Sequence, residues 1–417
     1  MAVICAPTRA LSWLAGMLAA LSLLGGCGTR YADVIVLGAG AGGGDAGGDV
    51  CLTHGAAECL LDTAHGCSFQ PSPVGCLSSD LSCAGGQCRA DDPFVHRFGE
   101  SLFLHNDPFR FMGTVSWWIS WQAGGCQVGA YPSQEAALTP TFDELAKMRM
   151  SGLRFWAFQS YAGASGTDYS HFDRVVARAR AAGVRLMPVL ESMYADCSAS
   201  PARDDAWFAS GYKSPYGSYA LSYRDYVTGL VTHFRDEPTI FAWEMMHEAG
   251  GGDFARLDAF TGDISSLIRN IDHNHLIALG VNNGNTAATS TEGENSNYFK
   301  LHAHDGIDLL DVHDFGNPDD AEPDQVARCR AIAHDLHKPI FVGAGAVDLA
   351  DTSASAYAQR ADRLSRKIEA ARSDAFAGYF VYDYVPGWTN LTFDFDARPE
   401  EPLAGANGVL AQQAAKF

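Results

Sequence analysis

From about residue 93 onward, short apolar runs alternate regularly with helical patterns, and this alternation limits the chain to few folds. The runs are Phe111 to Ser116, Leu153 to Ala157, Arg185 to Leu190, Thr239 to Glu244, Leu276 to Leu279, Leu309 to His313, Pro339 to Val342 and Ala377 to Tyr382. Several of the intervening stretches carry their apolar residues on one helical face. Phe172, Val175, Val176 and Ala179 do so, as do Tyr223, Tyr226, Val227, Leu230, Val231 and Phe234, and also Tyr357, Ala361, Leu364 and Ile368. Eight strand–helix units in succession are what a closed parallel barrel requires. An open doubly wound sheet is the alternative, but the count of eight and the lack of a phosphate-binding loop favour the (β/α)8, or TIM, barrel. Just before the first run, Leu102-Phe103-Leu104, His105-Asn106-Asp107 and Phe109-Arg110-Phe111 read as a small hairpin.

The chain has 417 residues, enough for one such barrel of about 250 residues or more and a smaller appendage. Residues 1–27 read as a targeting segment. Arg9 precedes an apolar run from Leu11 to Leu24, and Leu24-Gly25-Gly26-Cys27 resembles a bacterial lipoprotein box, with cleavage before Cys27 and lipid on its sulfur. The other reading is a plain secretory peptide. The run is short for a membrane span, so the expected product is an exported chain, either anchored to a bacterial membrane by lipid or extracellular. Residues 28–50 contain Gly38-Ala39-Gly40-Ala41-Gly42-Gly43-Gly44 and read as a flexible tether. A dinucleotide-binding loop would need a helix and an acidic ribose partner that do not follow.

Six of the eleven cysteines, Cys51, Cys59, Cys67, Cys76, Cys83 and Cys88, crowd into residues 51–90. An even, dense set in an exported chain reads as a small disulfide module, with fifteen possible pairings. Cys126, Cys197 and Cys329 remain, so at least one is free, and Cys126 with Cys197 is a plausible pair. The barrel then occupies residues 93–417. The net charge of −20 argues against a nucleic-acid partner, since phosphate contacts need clustered Lys and Arg. It is compatible with a neutral polysaccharide. No cofactor motif is present.

A barrel of this type places its chemistry at the C-terminal ends of its strands. Those ends read Ser116-Trp117-Trp118, Phe158-Gln159, Met246-His247-Glu248, His313-Asp314-Phe315, Gly343-Ala344-Gly345 and Tyr382-Asp383-Tyr384, with Trp388 beyond. Aromatic faces, carboxylates and histidines around one pocket suit sugars, whose rings offer C–H faces for stacking and hydroxyls for charged acceptors. Trp118, Trp121, Trp207 and Trp388 are platform candidates, whereas Trp156 and Trp243 lie within strands and suit the core.

Five stretches, in this order and at these spacings, carry a family resemblance. They are Phe109 to Thr114, Gly152 to Phe158, Ala242 to Glu248, Val312 to Phe315 and Lys338 to Gly345. Over about residues 93–412 the chain resembles glycoside hydrolase family 5, particularly its β-mannanase-like and cellulase-like members. The resemblance implies hydrolysis of O-glycosidic bonds in a β-1,4-linked polysaccharide such as mannan or cellulose, by a retaining mechanism. In that mechanism two carboxyl groups about 5–5.5 Å apart serve as nucleophile and acid/base. It implies that Glu248 is the acid/base, that Arg154 holds the nucleophile's charge, and that His313 lies near the same site. Tyr382 stands near the place of an aromatic platform.

The departures are at least as informative. Ala344 occupies the nucleophile position without a carboxylate. His247 replaces the asparagine that bonds the substrate's 2-hydroxyl, and Phe315 lacks the tyrosine hydroxyl that contacts the nucleophile. An engineered exchange would account for Ala344 alone, so the three together read as natural divergence. Two functions stand against each other. One is a hydrolase in which another carboxylate, from Asp314, Asp348, Asp383 or Glu191, serves. The other is a carbohydrate-binding lipoprotein that has lost the chemistry. A metal site built from His302, His304, His313 and Asp311 is a third and weaker idea, and no metal is expected.

Overall fold

The computed structural model describes residues 92–417, apart from 106, 121–130, 196, 198–200, 282–285, 317–318, 350, 352 and 385–402, and before residue 92 the backbone of five short strands. Cys27, the targeting segment, the tether apart from Val34–Ile35, the cysteine pairings of residues 51–90, Trp121, Cys126 and Trp388 lie outside the described residues. Val34–Ile35 is a short strand that pairs antiparallel with Leu61 and Asp62, so this part of the expected tether is not free coil. Cys197 is disulfide-bonded, and Cys329 is free and buried.

Eight parallel strands form the barrel: β1 (Phe111–Ser116), β2 (Gly152–Trp156), β3 (Arg185–Val189), β4 (Ala242–Glu244), β5 (Leu276–Ala278), β6 (Leu310–Asp314), β7 (Ile340–Gly345) and β8 (Gly378–Val381). They pair in chain order, with β8 returning to β1. The seam between β5 and β6 is narrow. It is held by the single bridge Ala278↔Leu309 and by Ile277 O, which accepts from the backbone N–H groups of Asp308 and Leu309. The sheet is therefore a nearly closed barrel of the TIM type, as the eight apolar runs imply.

The helices begin at side-chain caps written in the sequence. Ser133 caps α1 (Gln134–Lys147), and Ser222 caps α3 (Tyr223–Phe234). Asp253 caps α4 (Phe254–Ile271). Between them in order, α2 (Ser170–Ala182) ends on Gly183 in the left-handed conformation. The buried faces of α2 and α3 are those the periodicity predicts. The helix that follows β7, Ala354–Ser373, buries Ala361, Leu364 and Ile368 as expected but leaves Tyr357 half-buried. It also buries Arg360 and Lys367. Lys367 reaches Asp314 at 2.7 Å.

The inner face of the barrel has three levels. At the bottom, Phe111 meets Phe241, Phe341 and Phe380 with ring centroids 4.9–6.1 Å apart. Gly378 makes room there, because a Cβ on it would come within 2.3 Å of the Phe111 ring. An antiparallel sheet of Val95–Phe98, Ser101–Leu104 and Asp107–Phe109 closes this end, with Phe109 stacked on Phe111. The hairpin read from residues 102–111 is its second half. Charged residues (Arg154, Glu244 and Asp311) occupy the middle level. The upper level opens to solvent.

Candidate active site

Pleating explains which strand-end residues reach the upper level. Side chains two apart share a face. Phe111, Gly113, Val115 and Trp117 therefore run up one side of β1, while Ser116 and Trp118 face the helices. Trp118 is fully buried and packs against Ala137 of α1, so the expectation that it forms a sugar platform is corrected. Trp117 takes the inner position and donates its indole N–H to Asp383 Oδ2 at 2.6 Å. The same counting rule applied to β1 would have found it. Trp207 is also buried, among Phe208, Tyr212 and Phe260, and is not a platform either.

Glu248 lies just past β4 with φ +54, a left-handed conformation uncommon for residues other than glycine. One carboxylate oxygen accepts from His313 Nδ1 at 2.7 Å, and the other accepts from the Tyr194 hydroxyl at 2.7 Å. Burial opposes the charge of Glu248, but these two hydrogen bonds and the charges of His313 and His247 hold it well below the usual carboxylate range. His313 is the complement. Burial pushes its proton off, but Asp311 and Glu248 together raise it to about 9. At neutral pH the pair is an imidazolium against a carboxylate.

His247 stacks between Trp156, at 4.7 Å, and His313, at 5.6 Å. Burial and the neighbouring Arg154 and His313 charges keep it well below its ordinary value, so the ring is neutral. Its Nδ1 accepts from Arg154 Nη2 at 3.3 Å, which assigns its proton to Nε2.

Arg154 is held by Glu244. Its Nε and Nη2 donate to the two oxygens of Glu244 at 2.6 and 2.5 Å, a forked pair with both side chains fully buried. Glu244 was overlooked because it reads as the last residue of a buried run.

Ala344 is fully buried and pairs in register with His313, so it shares the inner face with the Glu248 partner. A bulge sets this register: Val312 pairs with Val342 and His313 with Ala344, leaving Gly343 as the extra residue. The carboxylates considered as substitutes have these settings. Asp314 faces Lys367, Glu191 pairs with Arg203 at 2.8 Å, Asp383 holds Trp117, and Asp348 is exposed. His302 is bonded to the Tyr298 carbonyl and His304 to Asp258, so these histidines do not converge on His313. Among the described residues no group of three His, Cys, Asp or Glu side chains is arranged to hold a metal.

Two large aromatics among the described residues stand out for exposure, Tyr194 and Phe315 at 37% each, and both border this mouth. Phe315 lies edge-on to half-buried Tyr382 at 5.6 Å and to His313 at 6.2 Å. Tyr194, which follows β3 by five residues, carried no motif and was missed from the sequence.

The ion pair makes a pH prediction. The folded chain holds the His313 proton more tightly than the unfolded one does. Its contribution to stability is complete below about pH 6.5 and is lost as pH rises through about 9. Denaturant unfolding across that range is expected to show the decline in the native chain and a flatter profile in His313→Gln. Equal profiles would count against the pair.

Known proteins resemble this chain in both sequence and structure. No protein-family model matches the chain. Mannan endo-1,4-β-mannosidase 2 of Oryza sativa subsp. japonica is 29% identical over 253 residues, 52% of this chain and 54% of that protein. Mannan endo-1,4-β-mannosidase 7 of Arabidopsis thaliana is 23% identical over 312 residues, 64% of this chain and 69% of that protein. The chain thus spans about half the length of the first of these curated relatives. Among solved structures, the endo-1,4-β-mannanase of Rhizomucor miehei superposes with a TM-score of 0.61 at 17% identity, covering 78% of this chain and all of that one. The hyperthermostable endo-1,4-β-D-mannanase of Thermotoga petrophila RKU-1 gives 0.60 at 18%, covering 74% and 100%. The superpositions show the fold. In sequence the chain is similar to these mannan endo-1,4-β-mannosidases, in keeping with the family 5 resemblance of its strand-end motifs.

Proposed function

We propose that the chain is a glycoside hydrolase-type barrel acting on O-glycosidic bonds of a β-1,4-linked polysaccharide of the mannan or cellulose kind. The observation that carries this reading is the Glu248 carboxylate, held between His313 and Tyr194 at the C-terminal mouth of the barrel and bordered by exposed aromatic rings. In this reading Glu248 is the acid/base. His247 offers its Nε2–H to a sugar hydroxyl in place of an asparagine amide, and Tyr194, Phe315, Trp117 and Tyr382 supply ring faces. Trp388 is a further platform. The chain is exported and tethered through a lipidated Cys27, with residues 28–50 as spacer and 51–90 as a disulfide module before the barrel.

Ala344 favours a second reading, a carbohydrate-binding lipoprotein. A retaining cycle needs a carboxylate there to take the anomeric carbon. Calorimetric titration with manno- and cello-oligosaccharides, run beside reducing-sugar release from mannan, glucomannan and cellulose, separates the two. Binding with slow release that Glu248→Gln abolishes supports the hydrolase. Binding with no release supports the binding protein, and no binding to any β-1,4-glycan refutes both.

A further inference from the structure

We propose that Asp311 carries the buried negative charge that position 344 lacks, as a positioning residue that holds His313 against Glu248. The proposal rests on the site described above and deepens its functional reading.

Asp311 lies on the inner face of β6, one step below His313. Its side chain is fully buried, and neither carboxylate oxygen makes a hydrogen bond among the described residues. A carboxylate left in that state is costly unless cations compensate it. Two flank it. His313 Nε2 is 3.4 Å from Asp311 Oδ2, and the charge of Arg154 is coupled to it from β2. His313 thus bridges two carboxylates, Asp311 below and Glu248 above. Glu244 and His247, from β4 and the turn that follows it, also bear on His313.

The Asp311 carboxylate lies directly over the backbone of Gly343. A Cβ on that glycine would sit 2.1 Å from Oδ1 and 2.7 Å from Cγ. Asp311 therefore fills the space next to Ala344, using the bulge glycine as its floor. Counting Arg154 and His313 as positive and Glu244, Glu248 and Asp311 as negative, the cluster already carries one excess negative charge. A second carboxylate at 344 would join Asp311 in one buried site, and two carboxylates sharing such a site do not both ionise readily.

The test reads the His313 imidazole by NMR in the full chain, its signal assigned by loss in His313→Gln. The native midpoint is expected near 9. In Asp311→Asn, which keeps the shape and removes the charge, it is expected to fall by roughly 1–3 pH units. Asp311→Ser is the second route to the same shift if the asparagine variant folds poorly. A merely structural Asp311 would leave the midpoint unchanged, and that result overturns the proposal. A kinetic arm compares Ala344→Glu alone with Ala344→Glu in the Asp311→Asn background. The single variant is expected to cleave mannan at least about tenfold more slowly, and equal, measurable rates in the two also overturn the proposal. If no variant binds or cleaves any glycan, the functional reading fails while the titration still decides the role of Asp311.

Discussion

Ala344→Glu, made in the Asp311→Asn background, is expected to hydrolyse β-1,4-mannan at least about a thousandfold faster than the native chain. Position 344 faces the inner surface beside His313, whose ring touches Glu248, so a carboxylate there enters the pocket opposite the acid/base. It attacks the anomeric carbon and the glycosidic C–O bond breaks. Glu248 gives its proton to the leaving oxygen and then takes one from the water that opens the glycosyl ester. The substitution also acts on Glu248 itself. In the native chain nothing at 344 opposes its ionisation, and His313 and Tyr194 favour it, so Glu248 is a carboxylate at neutral pH and a poor acid. A second carboxylate raises its pKa, the condition for acid catalysis near neutrality. The variant is therefore expected to show a bell-shaped pH–rate profile, measured as kcat/KM on manno-oligosaccharides. A variant that binds these sugars yet hydrolyses no faster than the native chain would mean that position 344 is not the nucleophile position.

Glu244→Leu is expected to destabilise the fold by ~3–5 kcal/mol, read from guanidinium unfolding. The Arg154 guanidinium is fully buried and forked onto Glu244, and removing the carboxylate strands its charge at the middle level of the barrel. Pairing Glu244→Leu with Arg154→Met is expected to recover most of the loss, because neither charge then remains to be desolvated. A single variant as stable as the native chain would show that Arg154 draws its compensation from elsewhere, with Asp311 the neighbouring anion.

The two predictions reach different layers of what could be read from residues alone. All eight strands fall within two or three residues of the apolar runs. The faces of α2 and α3 follow from a period of 3.6, because burial of one helical face is a local property of sequence. The strand-end motifs were legible for a related reason. A parallel barrel gathers the C-terminal ends of its strands at one mouth, so order and spacing suffice to bring Glu248, His247 and His313 together. Trp118 was misplaced although the signal was there: it is one residue out of phase with Phe111, Gly113 and Val115, and a one-residue shift changes faces.

Sequence by itself thus determined the barrel, the strand ends that meet at its mouth, and the absence of a carboxylate at residue 344. Only the tertiary structure decided what surrounds that position. The Arg154–Glu244 fork, the Tyr194 hydroxyl on Glu248, and Asp311 seated over Gly343 all join residues on different strands or loops. Their meeting depends on inter-strand register and on one bulge between β6 and β7. Register is set by the packing of the whole barrel, and no local pattern of residues encodes it.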